Sequence, residues 1–223
     1  LVINFTKTDT QSPTISSFSA NTSSLTWYSS SGSSNKTATF TAVVSDNVGI
    51  NSISINGGTQ TNVSGNTYTF TKSFSRPTLN NSINNAVTLT VQDAASNSTS
   101  NTIYITTNHV DNTPPVISSF SANNTSVSLN TSNLQTQTIT FTATVTDNLS
   151  INNVSLPNTT FVSSLGNTYT YSKLLDQDQF SYGNTTQSYT LTATDTLGNS
   201  STSTETITIT KTDTSGPTIS SFT

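Results

Sequence analysis

The sequence predicts an all-β fold of tandem β-sandwich repeats, about seven strands in each, and two observations carry that prediction. The first is a long-range repeat. Asp9, Asp111 and Asp213 stand 102 residues apart, and each precedes a proline and the string Ile-Ser-Ser-Phe. The second is a period of two. From Ile139 through Phe141 and Ala143 to Val145, apolar residues alternate with threonine, which turns one face of an extended chain inward and the other to water.

The repeat holds for the sparse residue types as well as the abundant ones. Phe18 returns as Phe120 and Phe222, Phe40 as Phe141, Gly65-Asn66-Thr67-Tyr68 as Gly166-Asn167-Thr168-Tyr169, and Asp93 with Asn97 as Asp195 with Asn199. Aromatics, glycines and acids do not align together by chance in a chain biased toward Ser, Thr and Asn. One repeat is therefore expected at 9–110 and a second at 111–212. Residues 1–8 match the segments before Asp111 and Asp213, with Ile3 aligned to Ile105 and Ile207, and read as the last strand of a preceding repeat. Residues 213–223 read as the first strand of a following one.

Taken in order, the Ile-Ser-Ser-Phe string opens the first strand of each repeat, and Phe40-Thr-Ala42-Val-Val44 alternates as the second. Turn residues follow at Asp46–Gly49, Asn56–Gly58 and Gly65–Asn66, dividing the middle of the repeat into short strands. Val87-Thr-Leu89-Thr-Val91, with its equivalent from Tyr189 to Ala193, alternates again and ends in the Asp93–Asn97 turn, after which Ile207-Thr-Ile209 typifies the last strand. No helical period is sustained anywhere. About seven short strands in about 100 residues match the size and strand count of an immunoglobulin-like sandwich.

Composition excludes several function classes. With no cysteine there is neither a disulfide framework nor a thiolate metal site. Six Lys and Arg residues in a chain of net charge -4 cannot neutralise a phosphate backbone, so nucleic acid is not an expected partner. No apolar run approaches membrane-spanning length. An extracellular setting, on a cell or virion surface, fits a chain that is only 7% charged and rich in Ser, Thr and Asn.

The frame Val110-Asp111-Asn112-Thr113-Pro114-Pro115, then Ala143-Thr-Val145-Thr-Asp147-Asn148, then Leu191-Thr-Ala193-Thr-Asp195-Thr-Leu197-Gly198-Asn199, resembles the tandem bacterial immunoglobulin-like domains of large surface adhesins and extracellular fibres. The resemblance spans both repeats and the flanking segments. It implies a non-catalytic structural and adhesive array, a stalk, shaft or filament, whose partners are neighbouring repeats of the same or identical chains.

The recurring acids carry the most chemistry. Asp9, Asp111 and Asp213 precede the first strand, Asp46 and Asp147 follow the second, and Asp93 and Asp195 lie in the last hairpin. In an immunoglobulin-like sandwich those three places share one pole. Carboxylates about 5 Å apart repel by about 3 kcal/mol at an effective dielectric near 20, so something should compensate. Calcium suits all-oxygen ligands, and the candidate sets are Asp9, Asp46 and Asp93, then Asp111, Asp147 and Asp195, with Asp213 opening a third. The resemblance implies calcium at such junctions, stiffening the linkers. Ordinary turn chemistry is the competing account, because Asp bonds its own backbone in turns. Arg76, or Asp176 with Asp178, lies in the loop at the opposite pole and reads either as modulating these clusters or as solvated charge.

Catalysis has little support. His109 is the one histidine, and it occupies a position filled elsewhere by Lys7 and Lys211, which reads as a solvated basic residue. The alternative function is a carbohydrate-binding surface module in which Trp27 and Tyr28, without aromatic equivalents in the second repeat, form a platform for surface glycans. Exposed threonine rows invite an ice-binding reading, but threonine is simply a good exposed strand residue.

Overall fold

The computed structural model describes residues 8–131 and 136–221. The chain divides into two compact units, the division falling between Asp111 and Asn112. The first contains β1 (Thr14–Ala20), β2 (Ser24–Tyr28), β3 (Asn35–Ser45), β4 (Ile50–Ile55), β5 (Thr59–Ser64), β6 (Thr67–Ser75), β7 (Asn81–Asp93) and β8 (Ser98–Val110). The second repeats this order as β9 (Val116–Ala122), β10 (Ser126–Asn130), β11 (Thr136–Thr146), β12 (Ile151–Ser155), β13 (Thr160–Leu165), β14 (Thr168–Asp176), β15 (Gly183–Asp195) and β16 (Ser200–Thr212). A 3-10 turn at Gln177–Gln179, between β14 and β15, is its one addition among the described residues.

Each unit is a sandwich of two four-stranded sheets. In the first the orders are β1-β3-β6-β5 and β2-β8-β7-β4, and in the second β9-β11-β14-β13 and β10-β16-β15-β12. This is the immunoglobulin-like strand order, all-β and in tandem. Eight strands appear where about seven were expected because the first strand is split between the two sheets. β1 runs antiparallel to β3, whereas β2 runs parallel to β8, pairing Trp27 with His109.

An asparagine makes that switch. The Asn21 backbone N–H donates to the Thr39 carbonyl at 2.9 Å, and its side-chain oxygen accepts the Thr39 N–H at 2.9 Å. The amide thus replaces the next rung of the ladder, and the chain is released to cross to the other sheet. Asn123 does the same at Thr140.

Strand alternation is converted directly into burial. Along β3, Ala38, Phe40, Ala42 and Val44 are buried, and β11 buries Ile139, Phe141, Ala143 and Val145 at matching positions. Phe40 lies opposite Phe70 of β6, and Phe141 opposite Tyr171 of β14. Gly65 and Gly166, both at φ 57, form the tight turns before β6 and β14, which explains the recurring Gly-Asn-Thr-Tyr string.

One sequence expectation is corrected here. Trp27 is fully buried in the first core, so it cannot be half of an exposed platform; only Tyr28, the next residue on the alternating strand, faces outward. The indole fills space that Leu129 fills in the second unit. Residues 213–221, within the segment read as the first strand of a following repeat, pair with no strand among the described residues, and 222–223 lie outside them. The strand expected at residues 1–8 falls, apart from Thr8, outside the described residues.

The burial of Trp27 has a measurable consequence. Trp27→Ala is expected to destabilise the first unit by about 3–5 kcal/mol, the range for truncating a large core aromatic. Urea unfolding followed by circular dichroism checks it, and in the parent chain the single indole should resist quenching by acrylamide until that unit unfolds.

Candidate metal centre

Three loops at one end of the first sandwich bring the acids together. Asp9 precedes β1, Asp46 follows β3 and Asp93 ends β7, and one carboxylate oxygen from each lies within 4.8 Å of the others. The same holds for Asp111, Asp147 and Asp195. At that separation each pair of charges repels by about 3 kcal/mol at an effective dielectric near 20.

Local turn chemistry places each carboxylate but occupies only part of it. Asp46 Oδ2 accepts the N–H groups of Val48 and Gly49, both at 2.9 Å. Asp9 Oδ1 accepts the Gln11 N–H at 3.1 Å and the Asn47 amide at 3.2 Å. The remaining oxygens, Asp9 Oδ2 and Asp46 Oδ1, are buried without a hydrogen-bond partner among the described residues. A buried carboxylate oxygen is costly to leave unsatisfied, and two of them in one cluster compound the cost.

Asp93 forms the floor. It is fully buried, and it accepts the Asn97 N–H at 2.9 Å and the Asn97 side-chain amide at 2.8 Å. That same amide reaches the Asp9 carbonyl at 3.3 Å, tying the last hairpin to the segment before β1. In the second set Asp195 repeats the motif with Asn199, and Asp147 Oδ2 accepts the Leu149 N–H while its Oδ1 is buried without a partner among the described residues. Asp111 Oδ1 accepts the Ser29 hydroxyl at 2.6 Å.

Asp213 stands apart. It is exposed, accepts the Ser215 N–H and the Thr131 hydroxyl, and joins no such group among the described residues. The supporting roles of Asn47 and Asn97 were not assigned from the sequence. Their signal was the recurrence of Asp46-Asn47 as Asp147-Asn148, and of Asp93 and Asn97 as Asp195 and Asn199.

The donor set is entirely oxygen. Carboxylates with unused lone pairs, held by loops that also offer carbonyl and amide oxygens, suit a hard divalent cation such as calcium and not a thiolate-seeking or imidazole-seeking metal. The turns and an ion do not compete, because the turn bonds fall on one oxygen of Asp9 and Asp46 and leave the other.

The opposite end is built from structural contacts. His109 is buried, contrary to the solvated role expected for it, and its Nδ1–H donates to the Pro77 carbonyl at 2.9 Å. Lys211, at the equivalent position, donates to the Phe180 carbonyl at 3.1 Å. Each basic residue thus clamps the loop between the sixth and seventh strands of its own unit. Arg76 donates to the Ser31 carbonyl at 3.0 Å, and Asp176 caps the 3-10 turn through the Asp178 N–H.

No protein-family model matches the chain, and no curated protein matches it. Among solved structures it is similar to the titin Z1Z2 domains in complex with telethonin, at 14% identity, covering 93% of this chain and 100% of that one with a TM-score of 0.39. It is also similar to the sialic-acid-binding region of a Streptococcus sanguinis adhesin, at 12% identity, 92% and 79% coverage and a TM-score of 0.30. The Ig1-2 module of the Drosophila receptor protein tyrosine phosphatase DLAR shares 11% identity over 91% of this chain and 100% of its own, with a TM-score of 0.33. The likeness is to a type of module in tandem, and the assignment of the fold rests on the strand order itself.

Asp46 supplies a pH test. The N–H groups of Gly49 and then Val48 hold its carboxyl below the ordinary value of 3.8. A carboxyl depressed in the folded chain contributes stability above its unfolded value, and that stability is lost as pH falls through the folded value. In chelator-treated protein, the unfolding free energy of Asp46→Asn should therefore fall less steeply below about pH 4 than that of the parent chain, as read from urea titrations at a series of pH values.

Proposed function

We propose that the chain is a non-catalytic structural and adhesive array at a cell surface, in which calcium stiffens the segment leading into each sandwich. The observation that carries this reading is the pair of buried, unpartnered oxygens, Asp9 Oδ2 and Asp46 Oδ1, beside the buried Asp93. Asp9, Asp46 and Asp93 would hold one ion, and Asp111, Asp147 and Asp195 another. Backbone carbonyls and water complete the six to eight oxygens calcium takes.

An ion there links three chain segments far apart in sequence. Without it, the segment before β1 is held to the sandwich by the Asn47 and Asn97 amides. With it, like-charge repulsion becomes attraction and the segment loses its freedom to swing. Support for the structural reading also comes from His109 and Lys211, whose basic groups fasten loops within their units. Surface location, partnership with neighbouring repeats and contact with glycans belong to the same reading. No helix among the described residues is long and apolar enough to cross a membrane.

Calorimetry tests the ion. Calcium at about 100-fold excess over its Kd should raise the melting temperature by on the order of 10 °C in chelator-treated protein. Asp9→Asn combined with Asp46→Asn should remove most of the rise attributable to the first site. Absence of binding heat, with a melting temperature unchanged between calcium and EDTA, overturns the proposal.

A further inference from the structure

The second unit holds a cleft whose polar lining is only partly matched at the equivalent positions of the first. It lies in the second sandwich beside β14 and β15, measures about 480 Å³, and falls within the range of roughly 300–1,000 Å³ typical of ligand pockets. Its walls include Leu175 and Phe180, and its polar lining includes Asn158, Lys173, Gln187 and Tyr189.

Tyr189 is the informative residue. It is 6% exposed, its ring packs on Phe141 at 4.7 Å, and its hydroxyl has no hydrogen-bond partner among the described residues. The hydroxyl is not sealed in the core, and the residue lines the cleft. Burial pushes the phenol upward from its ordinary value, which keeps the proton in place at neutral pH and makes the group both donor and acceptor.

Comparison within the chain shows how the groups arise. The position of Tyr189 is Val87 in the first unit, with no polar atom, and that of Asn158, at φ 62, is Gly57, at φ 66, with no side chain. Gln187 corresponds to Asn85. The Asn85 amide is fully committed to the carbonyls of Ile83 and Ile105 and to the Thr107 hydroxyl, whereas the Gln187 amide has no partner among the described residues. Lys173 is shared, as Lys72, but Lys72 lies over the Phe74 ring at 5.5 Å, and Lys173 has neither a hydrogen bond nor an ion pair among the described residues.

We propose that this cleft binds a carboxylated sugar residue of a surface glycan. Lys173, the one charged group lining it, pairs with the carboxylate. The amides of Asn158 and Gln187 and the Tyr189 hydroxyl combine donor and acceptor atoms, as adjacent sugar hydroxyls require. Phe180 supplies an apolar wall for the C–H face of the ring. This site is separate from the acidic clusters and does not depend on calcium being bound there.

The experiment uses the full chain and oligosaccharides ending in a uronic acid, each paired with its counterpart reduced to the neutral alcohol. Saturable binding of the acid form is expected, with shifts in the amide NMR signals of Asn158 and Gln187. Tyr189→Phe keeps the packing and removes one hydroxyl, and should weaken binding by about 5- to 10-fold. Lys173→Gln should abolish the preference for the acid form, while Lys72→Gln leaves it unchanged. Failure of every acidic oligosaccharide to bind, equal binding of the neutral counterparts, or binding indifferent to both Tyr189→Phe and Lys173→Gln overturns the proposal.

Discussion

In the first unit Phe40 and Phe70 face each other across β3 and β6, and Trp27, Leu89 and Ile105 close on them from the second sheet. This burial of one apolar row per sheet against the facing sheet is the constraint on which the remaining structure depends. The chain is only 30% hydrophobic, so nearly every inward position must be used. Alternation with threonine leaves the outward rows polar, and cross-strand hydroxyl pairs such as Thr88 with Thr102 and Thr190 with Thr204, each at 2.9 Å, recur on those rows.

The acidic clusters follow from how the sheets are joined. Two sheets packed face to face bring the loop after β3, the turn after β7 and the segment before β1 to the same end of the sandwich. Each loop uses an aspartate because its turn needs an acceptor for backbone N–H groups. Turn formation alone would tolerate solvent-facing second oxygens. Burial of those oxygens without partners among the described residues is more than three adjacent turns require.

The repeats share a frame but distribute bulk differently. Trp27 in the first core corresponds to Leu129, while Val87 corresponds to Tyr189, so the large ring enters from different strands in the two units. A consequence is that the second unit places a tyrosine hydroxyl at a cleft where the first has an aliphatic side chain, and with it an asymmetry of chemistry between modules of the same fold.

The repeat, the strand periodicity and the sharing of one pole by Asp9, Asp46 and Asp93 were legible in the sequence, because period-two alternation and turn residues act locally and the sandwich topology then leaves few arrangements. The division of the first strand between sheets was not, since it hinges on whether the Asn21 amide substitutes for a ladder rung at Thr39. Nor was the fate of Trp27 and His109. An indole beside a Ser-rich stretch and a basic residue at a strand end are equally compatible with surface or core until the facing sheet defines which side is inward. Residue type and spacing thus determined the modules and their acids. Only tertiary packing decided which oxygens are left without partners, and which aromatic ring faces a cleft instead of water, because both depend on atoms contributed by strands distant in the chain.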